Sequence, residues 1–168
     1  MSFFSEIETL IYAVSRVFLA PVMLLIAASL AYALLMLGMF LVQAWQRRRG
    51  ARVTGLAAYA AQVPEGGPGA PGSDDLELWI MRRLEWLRIV SRTAPMLGLI
   101  ATMIPMGPAL LALGESDGAA VGRNMVAAFS AVILALLAAS ICYFILTVRR
   151  RWLLEELRSI ERARAESA

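Results

Sequence analysis

The side chains that most often carry out chemistry in proteins are scarce in this sequence. Its 168 residues include no histidine and one cysteine, and all 16 basic residues are arginines. Without histidine the chain can build no Ser–His–Asp triad, no histidine metal site and no histidine pH switch. The single cysteine, Cys142, cannot form an internal disulfide. We therefore expect no enzyme, no bound cofactor and no metal site.

The charged residues leave three long gaps. Residues 17–46, 93–114 and 124–148 carry no charge, in a chain that is 60% hydrophobic and 17% charged. Soluble domains are about half apolar and about a quarter charged, whereas a membrane-spanning helix needs about 20 mostly apolar residues. The sequence therefore predicts an all-α membrane protein with three transmembrane helices, at residues 17–46, 93–113 and 123–148.

The arginines predict how these helices are oriented. Eight arginines lie between the first and second gaps and six follow the third, which leaves Arg16 and Arg123 for the other side. Because arginine-rich segments stay in the cytoplasm, the N-terminus is expected outside and the C-terminus in the cytoplasm. Contact with anionic membrane lipids also explains the basic pI of about 9.6, so no nucleic-acid partner is expected.

The first two segments outside the spans have different predicted characters. Residues 1–16 carry apolar side chains at spacings of three and four, which predicts an outer interfacial amphipathic helix joined to the first span near Pro21. The cytoplasmic segment, residues 47–92, contains a flexible linker rich in glycine and proline at residues 64–72. A helix is expected to start at about residue 75 and to lead into the second span.

The last two segments are shorter. An outer loop at residues 114–122 would join the second and third spans as an antiparallel hairpin. The cytoplasmic tail, residues 149–168, continues as a helix supported by pairs of glutamate and arginine three or four residues apart. This tail is either a solvated extension or a surface for a helical partner.

The second span has an unusual composition for a helix. Within seventeen residues it contains Pro95, Gly98, Pro105 and two further helix-breaking residues. A kink is expected at Pro95, and the backbone carbonyls that prolines leave free must find other donors. Thr102 is the only hydroxyl at the centre of this span, and its simplest role is to bond the carbonyl four residues back.

The third span has one narrow face of small side chains. These residues recur every three or four positions: Ala128, Ala131, Ala135, Ala138 and Cys142. Membrane helices associate through such faces because small side chains let two backbones approach closely. The face serves either to pack the second span against the third or to form a seam between subunits or a pore wall. Ser130 lies elsewhere on the helix.

No predicted span contains a carboxylate or a histidine. Because proton relays inside membranes normally use such groups, the chain alone cannot be a carboxylate-based proton carrier. If it takes part in proton movement, the titrating group must belong to another polypeptide.

Residues 94–102, APMLGLIAT, resemble the APxxGLxGT signature that opens the second span of the MotA/TolQ/ExbB proton-channel family. The number of spans and their layout resemble the three-span TolQ/ExbB type. The resemblance implies a homopentamer in a bacterial inner membrane, surrounding two copies of a single-span partner of the ExbD/TolR type. That partner carries an intramembrane aspartate, and the complex converts ion-motive force into mechanical work. Thr102 matches the family's pore-lining threonine.

The sequence departs from the family pattern at three positions. Ala101 replaces the signature glycine, Pro105 replaces a following glycine, and Val132 stands where the family carries a second pore threonine. Ser130 is the nearest hydroxyl, but two residues away it points about 200° around the helix. The leading hypothesis is therefore a pore-forming, stator-like subunit with Thr102 and, less directly, Ser130 in the ion pathway. The alternative is a non-conducting helical scaffold in the membrane.

Overall fold

The computed structural model describes residues 2–49, 73–114 and 116–167 and folds them into three long helices. They are α1 (Ser2–Arg48), α2 (Ser73–Gly114) and α3 (Gly118–Ser167). Each contains a stretch long and apolar enough to cross a membrane: Val17–Arg48, Asp75–Gly114 and Gly118–Ala163. The all-α fold and the three apolar helices are as predicted, and the chain is a multi-pass membrane protein. The predicted linker at residues 64–72 lies outside the described residues.

The helices are more continuous than the sequence indicated. α1 shows no break between the predicted interfacial helix, residues 1–16, and the first span, because Pro21 lies inside a helix that continues on both sides of it. A proline removes one backbone donor, and membrane helices tolerate this loss. α3 begins at Gly118, so the predicted loop at residues 114–122 is shorter than expected.

Two compact units share the three helices. The first contains Met1–Leu35 and Val90–Ile141, and the second contains Met36–Ile89 and Cys142–Ala168. Each unit is therefore built from one section of α1, one of α2 and one of α3.

Small side chains form most of the core of the first unit. α2 buries one residue every three or four positions: Ala94, Gly98, Ala101, Pro105, Ala109 and Ala112. α3 buries Ala128, Ala131, Ala135, Ala138 and Ala139. The section of α1 contributes Val22 and Ile26, which pack in one cluster with Ala101, Ala131 and Ala135.

Large side chains form the core of the second unit. α2 buries Leu76, Ile80, Leu84 and Leu87 there, again at helical spacing. Phe40 of α1 packs against two rings of α3, in an edge-on contact with Phe144 at 6.0 Å and a stacked contact with Trp152 at 5.3 Å between centroids. The aromatic contacts join α1 to α3 at the end of the apolar spans.

Candidate functional site

A close helix contact in the first unit lies at Gly98. A Cβ atom on Gly98 would stand 2.9 Å from the Cβ of Ala135 and 3.2 Å from Cγ2 of Val132. Real Cβ atoms do not approach a neighbouring Cβ so closely, so only glycine fits at this position of α2. The contact brings the backbones of α2 and α3 together and fixes their relative height.

The small face of α3 is used inside the chain. Ala128, Ala131, Ala135 and Ala138 are all buried, and Ala135 and Ala138 have no exposed surface. Ala135 lies against the Gly98 position of α2, and Ala131 and Ala135 share a cluster with Ala101 of α2 and with residues of α1. A neighbouring subunit could not reach Ala135 without separating α3 from α2.

Thr102 lies at the edge of the α2–α3 contact. It is half-buried, between the buried Ala101 and the exposed Met103. Its Oγ1 donates a hydrogen bond of 2.7 Å to the carbonyl of Leu99, three residues back. The expected acceptor was the carbonyl four residues back, but a threonine hydroxyl in a helix can reach either one. Because the proton is used in this bond, the oxygen lone pairs remain available as acceptors.

The backbone next to Thr102 contains a weakened section of helix. Pro105 has no N–H, so the carbonyl of Ala101 loses its usual helical donor, and Pro108 has the same effect on Ile104. α2 nevertheless continues through Pro95, Pro105 and Pro108 to Gly114. Two carbonyls without their usual helical donor therefore lie within one turn of the Thr102 hydroxyl.

Ser130, the second candidate, occupies a different surface. Its Oγ donates a hydrogen bond of 2.8 Å to the carbonyl of Val126, and the residue is exposed. Ala101 and Ala131 belong to one cluster, so Thr102 and Ser130 lie at a similar height in the first unit. Each hydroxyl donates to its own helix, so no hydrogen bond from either one joins the two residues. Val132, in contrast, faces the Gly98 position.

The turn after α2 has a geometry that the sequence did not reveal. The N–H of Asp117 donates to the carbonyl of Ala112 at 2.9 Å, and the N–H of Ser116 donates to that of Leu113 at 3.2 Å. With Ser116 at a φ of 59°, this is the Schellman ending of a helix, for which glycine is the usual residue. Asp117 Oδ1 then accepts a hydrogen bond of 3.0 Å from the N–H of Ala120 and caps α3.

The described residues provide no metal site. No three His, Cys, Asp or Glu side chains come together in the parts of the chain that the structure describes. The polar groups at the centre of the first unit are therefore hydroxyls and backbone carbonyls. Such groups can accept or relay hydrogen bonds, but they do not carry charge.

The sequence of this region is similar to a known protein family. Residues 74–162 match the MotA/TolQ/ExbB proton channel family. The chain belongs to this family. No curated protein and no solved structure matched the chain in the corresponding comparisons. The match confirms the resemblance found in residues 94–102 and identifies a non-enzymatic transport family.

The MotA/TolQ/ExbB match covers nearly all of α2 and most of α3. It therefore includes Gly98, Thr102, Ser130 and the turn at Ser116, whereas α1 lies outside it. Membership of the family implies association with partners of the ExbD/TolR type.

Sequence reasoning missed most of the small face of α2. Gly98 and Pro105 were noted as helix-breaking residues, yet they lie in the same buried row as Ala94, Ala101 and Ala109. The signal was present, since these positions follow the spacing of three and four that marked the small face of α3. Two facing rows of small residues predict a helix pair more strongly than either row alone.

Proposed function

We propose that this chain is the pore-forming, stator-like subunit of a motor driven by ion-motive force. Five copies would surround two copies of a single-span partner of the ExbD/TolR type, whose intramembrane aspartate carries the ion. The ion is taken to be the proton, as in the family's description. The N-terminus would lie outside a bacterial inner membrane and the C-terminus in the cytoplasm.

Family membership is the observation that carries this proposal, and the charges of the chain agree with it. The charge-free stretches at residues 17–46, 93–114 and 124–148 contain no carboxylate. A proton pathway through them needs an acid from another chain. A partner with an intramembrane aspartate supplies that acid.

The unburied surface of the helices supports assembly with other chains. Only 17%, 28% and 33% of the most apolar windows of α1, α2 and α3 are buried within the chain. On α2 the exposed row includes Leu99 and Met103, each with 64% of its surface exposed. This row lies beside Thr102, so a chain seated on it would come within reach of the threonine oxygen.

Thr102 would have one specific task in this mechanism. With its proton donated to Leu99, the hydroxyl can accept a hydrogen bond from a protonated carboxyl group but cannot donate to a carboxylate. It would therefore favour the protonated form of the partner's aspartate at this height. To serve the carboxylate, the hydroxyl must rotate away from the Leu99 carbonyl. Proton loading and release would then be coupled to this rotation.

The first test is the native mass of the complex, purified in mild detergent after co-expression with a single-span partner that carries an intramembrane aspartate. Five copies of this chain with two of the partner are expected. A monomer or dimer that binds no such partner would contradict the proposal.

The second test is the rate of proton uptake into liposomes containing the complex. Thr102→Val should lower the rate about tenfold or more, in line with the usual effect of losing a positioned proton-transfer group. Thr102→Ser should keep most of it. Thr147→Val is the matched control, because Oγ1 of Thr147 also donates a hydrogen bond to a carbonyl of its own helix, that of Tyr143, at 2.9 Å. Equal rates for Thr102→Val and the control would remove Thr102 from the mechanism.

A non-conducting scaffold is the second candidate function. It is favoured by Val132, since the position at which the family carries a second pore threonine has an apolar side chain facing Gly98. A scaffold predicts the same assembly without proton uptake. The liposome measurement on the wild-type complex therefore separates the two functions.

A further inference from the structure

Two arginines of the second unit each follow directly on a charge-free stretch of the sequence. Arg47 is the first charged residue after the charge-free residues 17–46, and Arg149 is the first after residues 124–148. The charged side chains that end an apolar span lie at the membrane interface. This depth does not depend on which side of the membrane the arginines occupy.

The side chain of Arg47 lies over an aromatic ring. Its Cζ lies 4.7 Å from the centroid of the Trp152 ring, which is itself stacked on Phe40 at 5.3 Å with an angle of 12° between the planes. A guanidinium above a tryptophan face is attracted to the ring and leaves its N–H groups directed outward around its edge.

Arg149 is positioned from the other helix. Its Nη2 donates a hydrogen bond of 2.8 Å to Oε1 of Gln43. Gln43 and Arg47 are four residues apart on α1, so they lie on one face with about 5–6 Å between their Cβ atoms. Arg47 and the residue that binds Arg149 therefore lie one helical turn apart on α1, at the same α1–α3 contact.

The surrounding charge is strongly positive. Six arginines occupy residues 47–49 and 149–151. Arg151 is paired with Glu155 at 2.9 Å on an exposed surface. Arg48 and Arg150 form no ion pair with any residue that the structure describes.

We propose that the α1–α3 contact at Arg47 and Arg149 is a binding site for the headgroup of an anionic phospholipid. The two guanidinium groups would donate N–H bonds to phosphate oxygens, a pairing that arginine makes in a bidentate manner. The acyl chains would lie on the exposed apolar side chains beside the site, Leu41 on α1 and Phe144 on α3. Basic pockets between membrane helices bind diphosphatidylglycerol headgroups in this way.

The test measures lipid binding by native mass spectrometry of the full-length protein in detergent. Diphosphatidylglycerol, phosphatidylglycerol and phosphatidylcholine are titrated separately. The wild type should bind the two anionic lipids in preference to phosphatidylcholine. The double variant Arg47→Gln with Arg149→Gln should bind them roughly 25-fold more weakly, because each arginine near a membrane surface strengthens binding about fivefold. The matched control is Arg158→Gln with Arg162→Gln, which removes the same charge from exposed positions of the tail.

Two results would overturn the proposed lipid site. An equal loss in the control would show that binding follows net charge and would overturn the site, as would an unchanged affinity in the Arg47 and Arg149 variant. Competition by millimolar inorganic phosphate as strong as that by the lipids would show that the site takes free phosphate instead. If the double variant loses its helical circular dichroism, the single variant Arg47→Gln should still bind about fivefold more weakly. The measurement uses neither ion flow nor a partner, so it can fail or succeed independently of the proposed motor.

Discussion

The two halves of α2 are packed by different kinds of side chain. In the second unit the helix buries Leu76, Ile80, Leu84 and Leu87, whereas in the first unit its buried row consists of alanines, one glycine and one proline. Both rows follow the same spacing of three and four residues. The helix therefore keeps one pattern of contact and changes only the size of the residues that make it.

The difference follows from the surroundings of each half. The leucine half carries charged residues on its other faces, including Arg82 and Glu85. It is therefore stabilised by removing large apolar side chains from water, at about 1.5–3 kcal/mol each. The alanine half lies in a span where lipid is as apolar as leucine, so burial gains little there and close approach of the backbones provides the attraction. Removing atoms should destabilise the leucine half, and adding atoms should destabilise the alanine half.

The largest effect is expected from removing atoms in the leucine half. Leu84→Ala should lower the free energy of unfolding by about 2–5 kcal/mol, since Leu84 is fully buried and its loss leaves a cavity. Leu78→Ala is the matched control on the same helix, because Leu78 is 43% exposed. Thermal unfolding in detergent measures both. Equal shifts for the two variants would mean that the leucine row is not a packed core.

A smaller loss should follow from adding one methyl group in the alanine half. Gly98→Ala places a Cβ 2.9 Å from that of Ala135, whereas Gly38→Ala on α1 meets nothing within 4 Å. Both variants gain about 0.5–1 kcal/mol from the better helix propensity of alanine. Overpacking costs about 1–3 kcal/mol. Because the gain in helix propensity is common to both variants, Gly98→Ala should be less stable than Gly38→Ala by this overpacking cost. If Gly98→Ala were as stable as Gly38→Ala, close approach could not be what holds this half.

The smallest effect should come from the turn that joins the two small-residue rows. Asp117→Ala removes the side-chain acceptor for the N–H of Ala120 and should cost about 1 kcal/mol of stability. Asp117→Asn keeps an acceptor and should stay close to the wild type. A loss in Asp117→Ala as large as that in Gly98→Ala would show that the turn, rather than the seam, positions α2 against α3. The same unfolding measurement applies.

The sequence was most informative where charge decides the structure. The three apolar helices followed from gaps without a charge, because a charged residue inside a bilayer costs several kcal/mol. In each case the first charged residue marks the end of the apolar stretch.

The sequence was less informative where geometry decides. Pro21 suggested the end of one helix, but a proline only removes a donor, and α1 continues through it. Ser116 has the left-handed backbone conformation that ends a helix, where a glycine usually stands and can be recognised in the sequence. The same contrast holds at Thr102. Its residue type and its place at the centre of the span make it a predicted site residue. Its acceptor, Leu99, depends on a side-chain torsion that composition does not encode.

The tight connection between Gly114 and Gly118 affects how the chain enters the membrane during synthesis. Ser116 and Asp117 end one helix and start the next with their own hydrogen bonds, so the chain has no slack there. Because so few residues join the two helices, neither α2 nor α3 can enter a bilayer without carrying the adjoining end of the other with it. Insertion therefore delivers α2 and α3 as a pair. The contact between Gly98 and Ala135 can then form as the hairpin enters the membrane.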